Sequence, residues 1–226
     1  MGICKAYTTG GGDFLVLDNV NLTMHKGEFV TIMGASGSGK TTLLNLLGCL
    51  DRPSSGTYLL EGVSVQNLTD KQLSHLRGRK IGFIFQSFNL LPRLSARFNV
   101  ELPLVYQEVS PSNRRKIAED MLHRVGLDGK ANRRPSELSG GEQQRVAIAR
   151  ALASQTPLIL ADEPTGNLDS KTGHEIMEIL LGLHKEGKTI AMVTHARDLT
   201  SYSDRTIVIK DGSVLEEVGH KEVLPC

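Results

Sequence analysis

The amino-acid sequence predicts an α/β fold: a mainly parallel sheet covered by helices on both faces, an antiparallel β side sheet, and an inserted helical lobe. Three observations predict it. Short apolar runs with strand character alternate with helical stretches, the pattern that winds a parallel sheet. Strand-like segments recur near both ends of the chain, as an added antiparallel sheet requires. Between about residues 87 and 139 strand character gives way to helical signals. A length of 226 residues suits one α/β domain carrying such an insertion. Residues 1–226 therefore read as a single domain, with about 87–139 as its helical subdomain.

The elements follow in order. Phe29-Val30-Thr31-Ile32-Met33 reads as a buried strand, followed by a glycine-rich turn and an apolar helical run over 42–47. Pro53 and Gly56 break the chain after Asp51. Short strands follow around 57–60 and 81–85. In the lobe, Ser112 is expected to cap a helix with Ile117, Met121, Leu122 and Val125 on its apolar face and Gly126 at its end. Ser139 opens another helix, with Val146, Ile148, Ala149 and Leu152 inward. Strand character returns over 158–161. A helix over 171–186 carries Ile176, Ile179, Leu180 and Leu183, with Gly187 closing it, and 189–193 reads as a further buried strand. Asp211-Gly212, between two strand-like segments, marks a type I′ hairpin because both turn residues need positive φ. The strands near both ends are expected to form the side sheet together.

Composition narrows the function. The chain is 39% hydrophobic, 23% charged and 4% aromatic, ordinary for a globular protein with a sizeable core. Its formal net charge of +1 lacks the basic excess of a protein that grips nucleic acid through phosphates, so no nucleic-acid partner is expected. No apolar run approaches the roughly 18–20 residues of a spanning helix. If the protein serves a membrane, another chain crosses it. No signal peptide is evident. Met1-Gly2 lacks the Ser or Thr that myristoylation needs at position 6, and Cys226, being terminal, is no prenylation site. The three cysteines, Cys4, Cys49 and Cys226, are scattered and odd in number, which argues against disulfides and zinc and for a reducing compartment.

Gly34-Ala35-Ser36-Gly37-Ser38-Gly39-Lys40-Thr41 fits the pattern G-x-x-x-x-G-K-[ST] and lies between a strand and a helix, where its mechanism requires it. Glycines let successive N–H groups converge on one anion, and the helix N-terminus adds open donors and positive dipole. Lys40 should reach the β- and γ-phosphates, and Thr41 should offer its hydroxyl to Mg²⁺. The fold class thus becomes a P-loop NTPase core. Far downstream, Leu158-Ile159-Leu160-Ala161-Asp162-Glu163 is an apolar strand ending in two carboxylates. Alone it would equally read as a strand ending in a solvated acidic turn. Beside a phosphate loop, Asp162 would hold Mg²⁺ and Glu163 would orient or deprotonate the attacking water.

Leu138-Ser139-Gly140-Gly141-Glu142-Gln143-Gln144-Arg145 describes a second anion site: a serine caps a helix and two glycines leave its first N–H groups open. One domain folded around one nucleotide has no need of two. The economical account is that this site closes on ATP held by a partner copy.

With these strings the chain resembles the nucleotide-binding subunit of ATP-binding-cassette transporters over nearly its whole length. The resemblance implies that Ser139, Gly140, Gly141, Glu142 and Gln143 form the family signature acting in trans, and that 34–42, ending in Thr42, bind ATP. Gln86, after the strand 81–85, matches the glutamine that touches Mg²⁺ and senses the membrane subunit. Gly166-Asn167-Leu168-Asp169 matches the D-loop at the dimer seam, with Asp169 at its end. His195 matches the switch histidine at the γ-phosphate, and Tyr7 the aromatic that stacks on adenine. Lys40, Gln86, Glu163 and His195 thereby become the catalytic set, and Thr41, Gln86 and Asp162 the metal set. His25, His75 and His184 read as solvated surface residues. Only six residues precede Tyr7, fewer than the family's first strand supplies, so a shortened N-terminal edge is expected.

Further strings, Leu50-Asp51-Arg52-Pro53-Ser54-Ser55-Gly56, Phe88-Asn89-Leu90-Leu91-Pro92 and Asn99-Val100-Glu101-Leu102-Pro103, resemble the macrolide-export and lipoprotein-release subfamily. That likeness implies a homodimer, or a dimer with a close relative, which closes on two Mg-ATP. It also implies a separate integral membrane permease that transmits motion to a periplasmic domain, and a cytoplasmic, peripheral place on the inner face of the membrane. Two other readings stay open: a soluble cassette ATPase of DNA repair or translation, and a cassette that binds ATP without hydrolysing it. The first typically brings coiled coils, zinc cysteines or a second cassette. The second is told apart by phosphate release.

Overall fold

The computed structural model describes residues 1–10 and 12–219, and every structural statement concerns those residues; Cys226 lies outside them. In chain order the elements are β1 (Ile3–Thr9), β2 (Gly12–Val20), β3 (Phe29–Met33), α1 (Lys40–Leu47), β4 (Leu59–Leu60) and β5 (Val63–Ser64). Next come α2 (Asp70–Lys80), β6 (Ile81–Phe85), α3 (Ala96–Tyr106), α4 (Pro111–Arg124) and α5 (Gly140–Ala153). The chain closes with β7 (Leu158–Asp162), α6 (Ser170–Lys185), β8 (Thr189–Val193), β9 (Arg205–Lys210) and β10 (Ser213–Gly219).

The main sheet has six strands in the order β10-β9-β3-β8-β7-β6. All its pairings are parallel except β9 with β10. Continuous apolar runs make its centre: every residue of β8 is buried, as are the first four of β3, because helices cover both faces of a parallel sheet. The side chains on those faces form two clusters. Ile176, Met177, Leu180 and Leu183 of α6 join the one that includes Val146 and Ile148 of α5. Leu43, Leu44 and Leu46 of α1 join the other, with Leu17 and Val20 of the side sheet.

β1 and β2 form an antiparallel sheet of their own. The C-terminal hairpin does not join it. β9 instead pairs parallel with β3, so the hairpin extends the main sheet. The expectation of one side sheet from both ends is corrected here: β9 is buried at Thr206, Ile207 and Ile209, and its apolar run finds a parallel neighbour that local pattern cannot reveal. The hairpin still touches β2, with the Asp18 amide donating to the Gly212 carbonyl at 2.9 Å. Its turn is as expected, with Asp211 at φ 47° and Gly212 at φ 80°.

Several boundaries moved. The helix over the lobe's middle starts with Ser110 as N-cap and Pro111 at its first position, not with Ser112; proline's fixed φ suits that position. The segment expected as a strand over 57–60 pairs only at Leu59–Leu60. α2 was not anticipated, and α3 was anticipated only as part of the helical lobe, without bounds of its own. α2 is almost wholly polar, and its readable sign was the Thr69/Gln72 capping box. Pro103 inside α3 disguised a helix that Ser95 caps. His25 and His75 are exposed, as expected. His184 is not: its side chain is 20% exposed and its ring meets Phe29 edge-on at 5.8 Å. No helix among the described residues is long and apolar enough to cross a membrane.

Leu180 is fully buried between α6 and the sheet. Leu180→Ala is expected to lower the unfolding free energy by about 2–5 kcal/mol. Leu215→Ala, at a residue 65% exposed, should change it by less than about 0.5 kcal/mol. Chemical denaturation checks both.

Candidate functional site

The strand register builds the site. Phe85 pairs with Asp162, Asp162 with Val193, and Val193 with Ile32. One row of residues therefore crosses four parallel strands just before their carboxyl ends. Gln86, Glu163, His195 and the turn beginning at Gly34 all leave the sheet at that edge. Ligands of open α/β sheets bind outside the carboxyl ends of the strands.

The loop 34–39 joins β3 to α1. Gly37 and Gly39 have φ 79° and 100°, in the left-handed region that glycine adopts without strain. A Cβ on Gly39 would lie 2.7 Å from Leu17 Cδ2 and 2.9 Å from the Val16 carbonyl oxygen. On Gly34 it would collide with the Ile209 carbonyl. Ala35, Ser36 and Gly37 are exposed, whereas Ser38 and Lys40 are buried. The Lys40 ammonium donates to the Ala35 carbonyl at 2.7 Å, across the loop. α1 has no side-chain cap and no acidic residue in its first turn, which leaves open donors beside the Thr41 and Thr42 hydroxyls.

Asp162 ends β7, half-buried. Burial raises its pKa and the Glu163 charge adds to the rise, while Lys40 works in the opposite direction. Lys40, Asp162 and Glu163 are thus electrostatically one cluster. Glu163 adopts φ 43°, and its amide donates to the Val193 carbonyl at 2.9 Å, which ties it to β8. His195 Nδ1 lies 3.1 Å from Glu163 Oε1. Gln86 is close by: a Cβ on Gly166 would lie 2.7 Å from Gln86 Nε2 and 3.3 Å from Glu163 Oε2. Asn167 Nδ2 donates to the Gln86 carbonyl at 3.0 Å. The fold thus gathers Lys40, Gln86, Asp162, Glu163 and His195.

The segment 139–143 packs on Phe88, Leu168 and Thr172. Ser139 caps α5, accepting from the Glu142 amide at 3.3 Å, while Glu142 Oε2 accepts from the Ser139 amide at 3.0 Å. An ion pair with Lys130 and the bond from the Ser139 amide hold the Glu142 pKa below its ordinary value. Gln143 donates to the Leu138 carbonyl at 3.2 Å. Gly140 faces Leu168 and Phe88, and a Cβ on Gly141 would collide with the Thr172 side chain. Asp169 caps α6, with Oδ1 accepting from the Thr172 amide at 3.0 Å. Ser139 is exposed at this helix start. The phosphate loop packs instead on Val16, Leu17 and Ile209.

Tyr7 lies on β1, 39% exposed. Its hydroxyl donates to Asp51 Oδ2 at 2.9 Å. Burial first, then the bond to Asp51, raise its pKa, and an interaction with the Thr42 side chain opposes them. Tyr7 therefore sits at the start of α1. Three residues were given no role by the sequence reading. Lys5 and Asp51 surround Tyr7. Gln144 is fully buried and donates to the Pro164 carbonyl at 2.6 Å, linking α5 to the loop that carries Glu163. The only sequence signal for Gln144 was its place one residue beyond the signature.

Asp162 carries a charge that its surroundings resist. Asp162→Asn is therefore expected to raise the thermal midpoint of the nucleotide-free protein at pH 7. The sign follows from the raised pKa. Above that pKa the wild-type carboxylate is ionised and penalised; below its unfolded value it is protonated and resembles Asn. The advantage should fade as pH falls toward 4, and paired thermal melts across pH check it.

Comparisons with known proteins agree with this geometry. Residues 17–166 match the family described as "ABC transporter". The uncharacterized ABC transporter ATP-binding protein YvrO of Bacillus subtilis (strain 168) is 50% identical over 218 residues, 96% of this chain and 95% of that one. The macrolide export ATP-binding/permease protein MacB 2 of Aeromonas hydrophila is 51% identical over 220 residues, 97% of this chain but 34% of that longer protein. The dimeric post-hydrolysis state of the ATP-binding cassette MJ0796, bound to ADP and Pi, superposes with a TM-score of 0.91 at 47% identity, covering 98% of this chain and 97% of that one. Residues that line up at one sheet edge, a phosphate loop and a separate capped signature helix thus meet a family match over most of the chain: the protein belongs to the ABC transporter family and is its ATPase cassette.

Proposed function

We propose that two copies of this chain, or this chain and a close relative, close head to tail on two Mg-ATP and open when ATP is hydrolysed. The observation that carries the proposal is the division of anion-binding parts. The phosphate loop, Asp162, Glu163 and His195 share one sheet edge, while the Ser139 helix start packs on Phe88, Leu168 and Thr172. A site split in this way is completed by a second molecule. The dimeric ADP- and Pi-bound relative supports the same reading.

The loop 34–42 binds the triphosphate through backbone amides, with Lys40 swinging from the Ala35 carbonyl to the β- and γ-phosphates. Tyr7 supports the adenine. Mg²⁺ fits the residues present. No group of three or more His, Cys, Asp or Glu side chains could cage a metal among the described residues, and Mg²⁺ is normally held by one or two carboxylates together with substrate phosphates. Asp162, with Thr41 and Gln86, would hold it, and it would neutralise charge developing on the phosphates. Glu163 takes the proton of the attacking water. His195, 3.1 Å away, holds the Glu163 carboxylate in place and reaches the γ-phosphate, and Gln86 is close by. Ser139 and Gly141 of the second copy clasp the γ-phosphate, with Asp169 at the seam. Losing that phosphate removes the charge bridging the subunits, a ligand-driven population shift.

The whole chain works as one domain, and its helical part, about 87–139, engages a separate membrane permease. Phe98 and Tyr106 of α3, at 48% and 81% exposure, support this, and beside them Pro103 and Tyr106 face Leu50, Leu76 and Phe83, outside that part, across a cavity of about 1080 Å³. Docking there keeps the chain peripheral on the cytoplasmic face of the membrane. Likeness to macrolide exporters supports an export or motion-transmitting partner.

Glu163→Gln should retain MgATP binding, lose on the order of 10²–10⁴-fold in hydrolysis and run as a dimer with MgATP in size-exclusion chromatography with light scattering. Hydrolysis at the normal rate would refute the base assignment. In that background, Ser139→Arg should return the protein to monomer while MgATP affinity of the monomer is kept. A dimer indifferent to Ser139 would remove the case for a shared site.

A further inference from the structure

We propose that Lys5 and Asp51 are positioning residues for Tyr7, which lock its ring so that a single face is offered to the purine base. The inference rests on the reading of Tyr7 as the base platform and adds how that platform is held.

Lys5 and Tyr7 are two residues apart on β1, so their side chains share one face of the side sheet. That face packs on the phosphate loop: Leu17, the partner of Lys5 across the strands, is the side chain against Gly39. Lys5 is buried at 9% exposure, and a buried ammonium needs partners. It has three. It donates to Asp51 Oδ1 at 2.6 Å and to the Arg52 carbonyl at 2.9 Å, and it stands 4.7 Å above the centre of the Tyr7 ring. Asp51 divides its oxygens, one for Lys5 and the other for the Tyr7 hydroxyl at 2.9 Å. The Arg52 amide also donates to Oδ1, at 2.7 Å. Burial works against the Asp51 charge, yet the bonds from Lys5, Tyr7 and Arg52 hold its pKa below the ordinary aspartate value.

The geometry constrains the ring twice. The hydroxyl is tethered, which stops the ring from swinging about χ1, and the ammonium covers one face through the ring quadrupole. Only the opposite face remains for stacking. Phe14 pairs with Tyr7 across the strands and is 65% exposed, an apolar residue on the neighbouring strand. Asp51 follows α1 by a short turn, and α1 carries Lys40 and Thr41 at its start. Base platform and phosphate loop are thereby registered to one helix.

A merely structural tie between the side sheet and the turn after α1 would predict different behaviour, and a ligand without a base separates the two. Calorimetry on the full chain would compare MgATP with magnesium tripolyphosphate. Lys5→Met and Asp51→Asn should each weaken MgATP about 3- to 10-fold while tripolyphosphate binding stays within about 1.5-fold. KM for ATP should rise by the same factor with kcat unchanged. Tyr7→Trp added to Asp51→Asn should restore MgATP affinity, because the larger ring stacks without a hydroxyl tether. Equal losses for both ligands would overturn the proposal in favour of a structural role. Tyr7→Ala is the control: if it weakens MgATP while Lys5→Met and Asp51→Asn do not, the positioning role falls alone, and if it changes nothing, the base platform itself falls. Asp51→Asn conserves volume, so the test survives should Lys5→Met fail to fold.

Discussion

The in-register pairing of four parallel strands is the constraint on which the site depends. Because Ile32, Val193, Asp162 and Phe85 lie in one row, the residues that follow them reach solvent at one edge and within reach of one another. A slip of one residue in any pairing would turn that strand's side chains to the other face and carry its functional residue away from the edge. Register is enforced by burial. β8 is covered on both faces and β3 along nearly its whole length, so a slipped strand would lose apolar contacts throughout.

Electrostatics at that edge disfavours the Asp162 charge. Asp162 is half-buried beside the Glu163 charge, and the Lys40 ammonium counteracts that penalty. Such a cluster is unfavourable by itself and favourable once a cation joins it, a common compromise of binding sites, where stability is exchanged for affinity. The phosphate loop shows the complementary bias. Its helix start is uncapped and free of acidic side chains, so it offers its donors and dipole to an anion.

The helix that Ser139 caps is tied to the sheet edge of its own chain. Gln144 ties α5 to the Pro164 carbonyl, next to Glu163, and Gly141 brings α5 against Thr172 at the start of α6, which Asp169 caps. α5 and the segment that follows Glu163 are therefore joined by a buried hydrogen bond and by close packing at Gly141.

Much of this was legible in the residues. The phosphate loop, the paired carboxylates ending an apolar strand, the Ser139 cap and the Asp211-Gly212 turn each depend on neighbours a few positions away, and local spacing expresses them. Polar α2 was not legible, because it shows no apolar period strong enough to read; α3 was legible only as part of a helical lobe, because Pro103 obscured its bounds. The placement of the C-terminal hairpin beside β3, the half-burial of His184, the Gln144–Pro164 link and the enclosure of Tyr7 by Lys5 and Asp51 were not legible either. The sequence by itself determined which chemical groups the protein brings to a nucleotide, since those groups come in contiguous motifs. Tertiary structure alone decided which of them meet and how rigidly they are held, because such contacts join segments tens to more than a hundred residues apart and arise from burial and register that no local periodicity encodes.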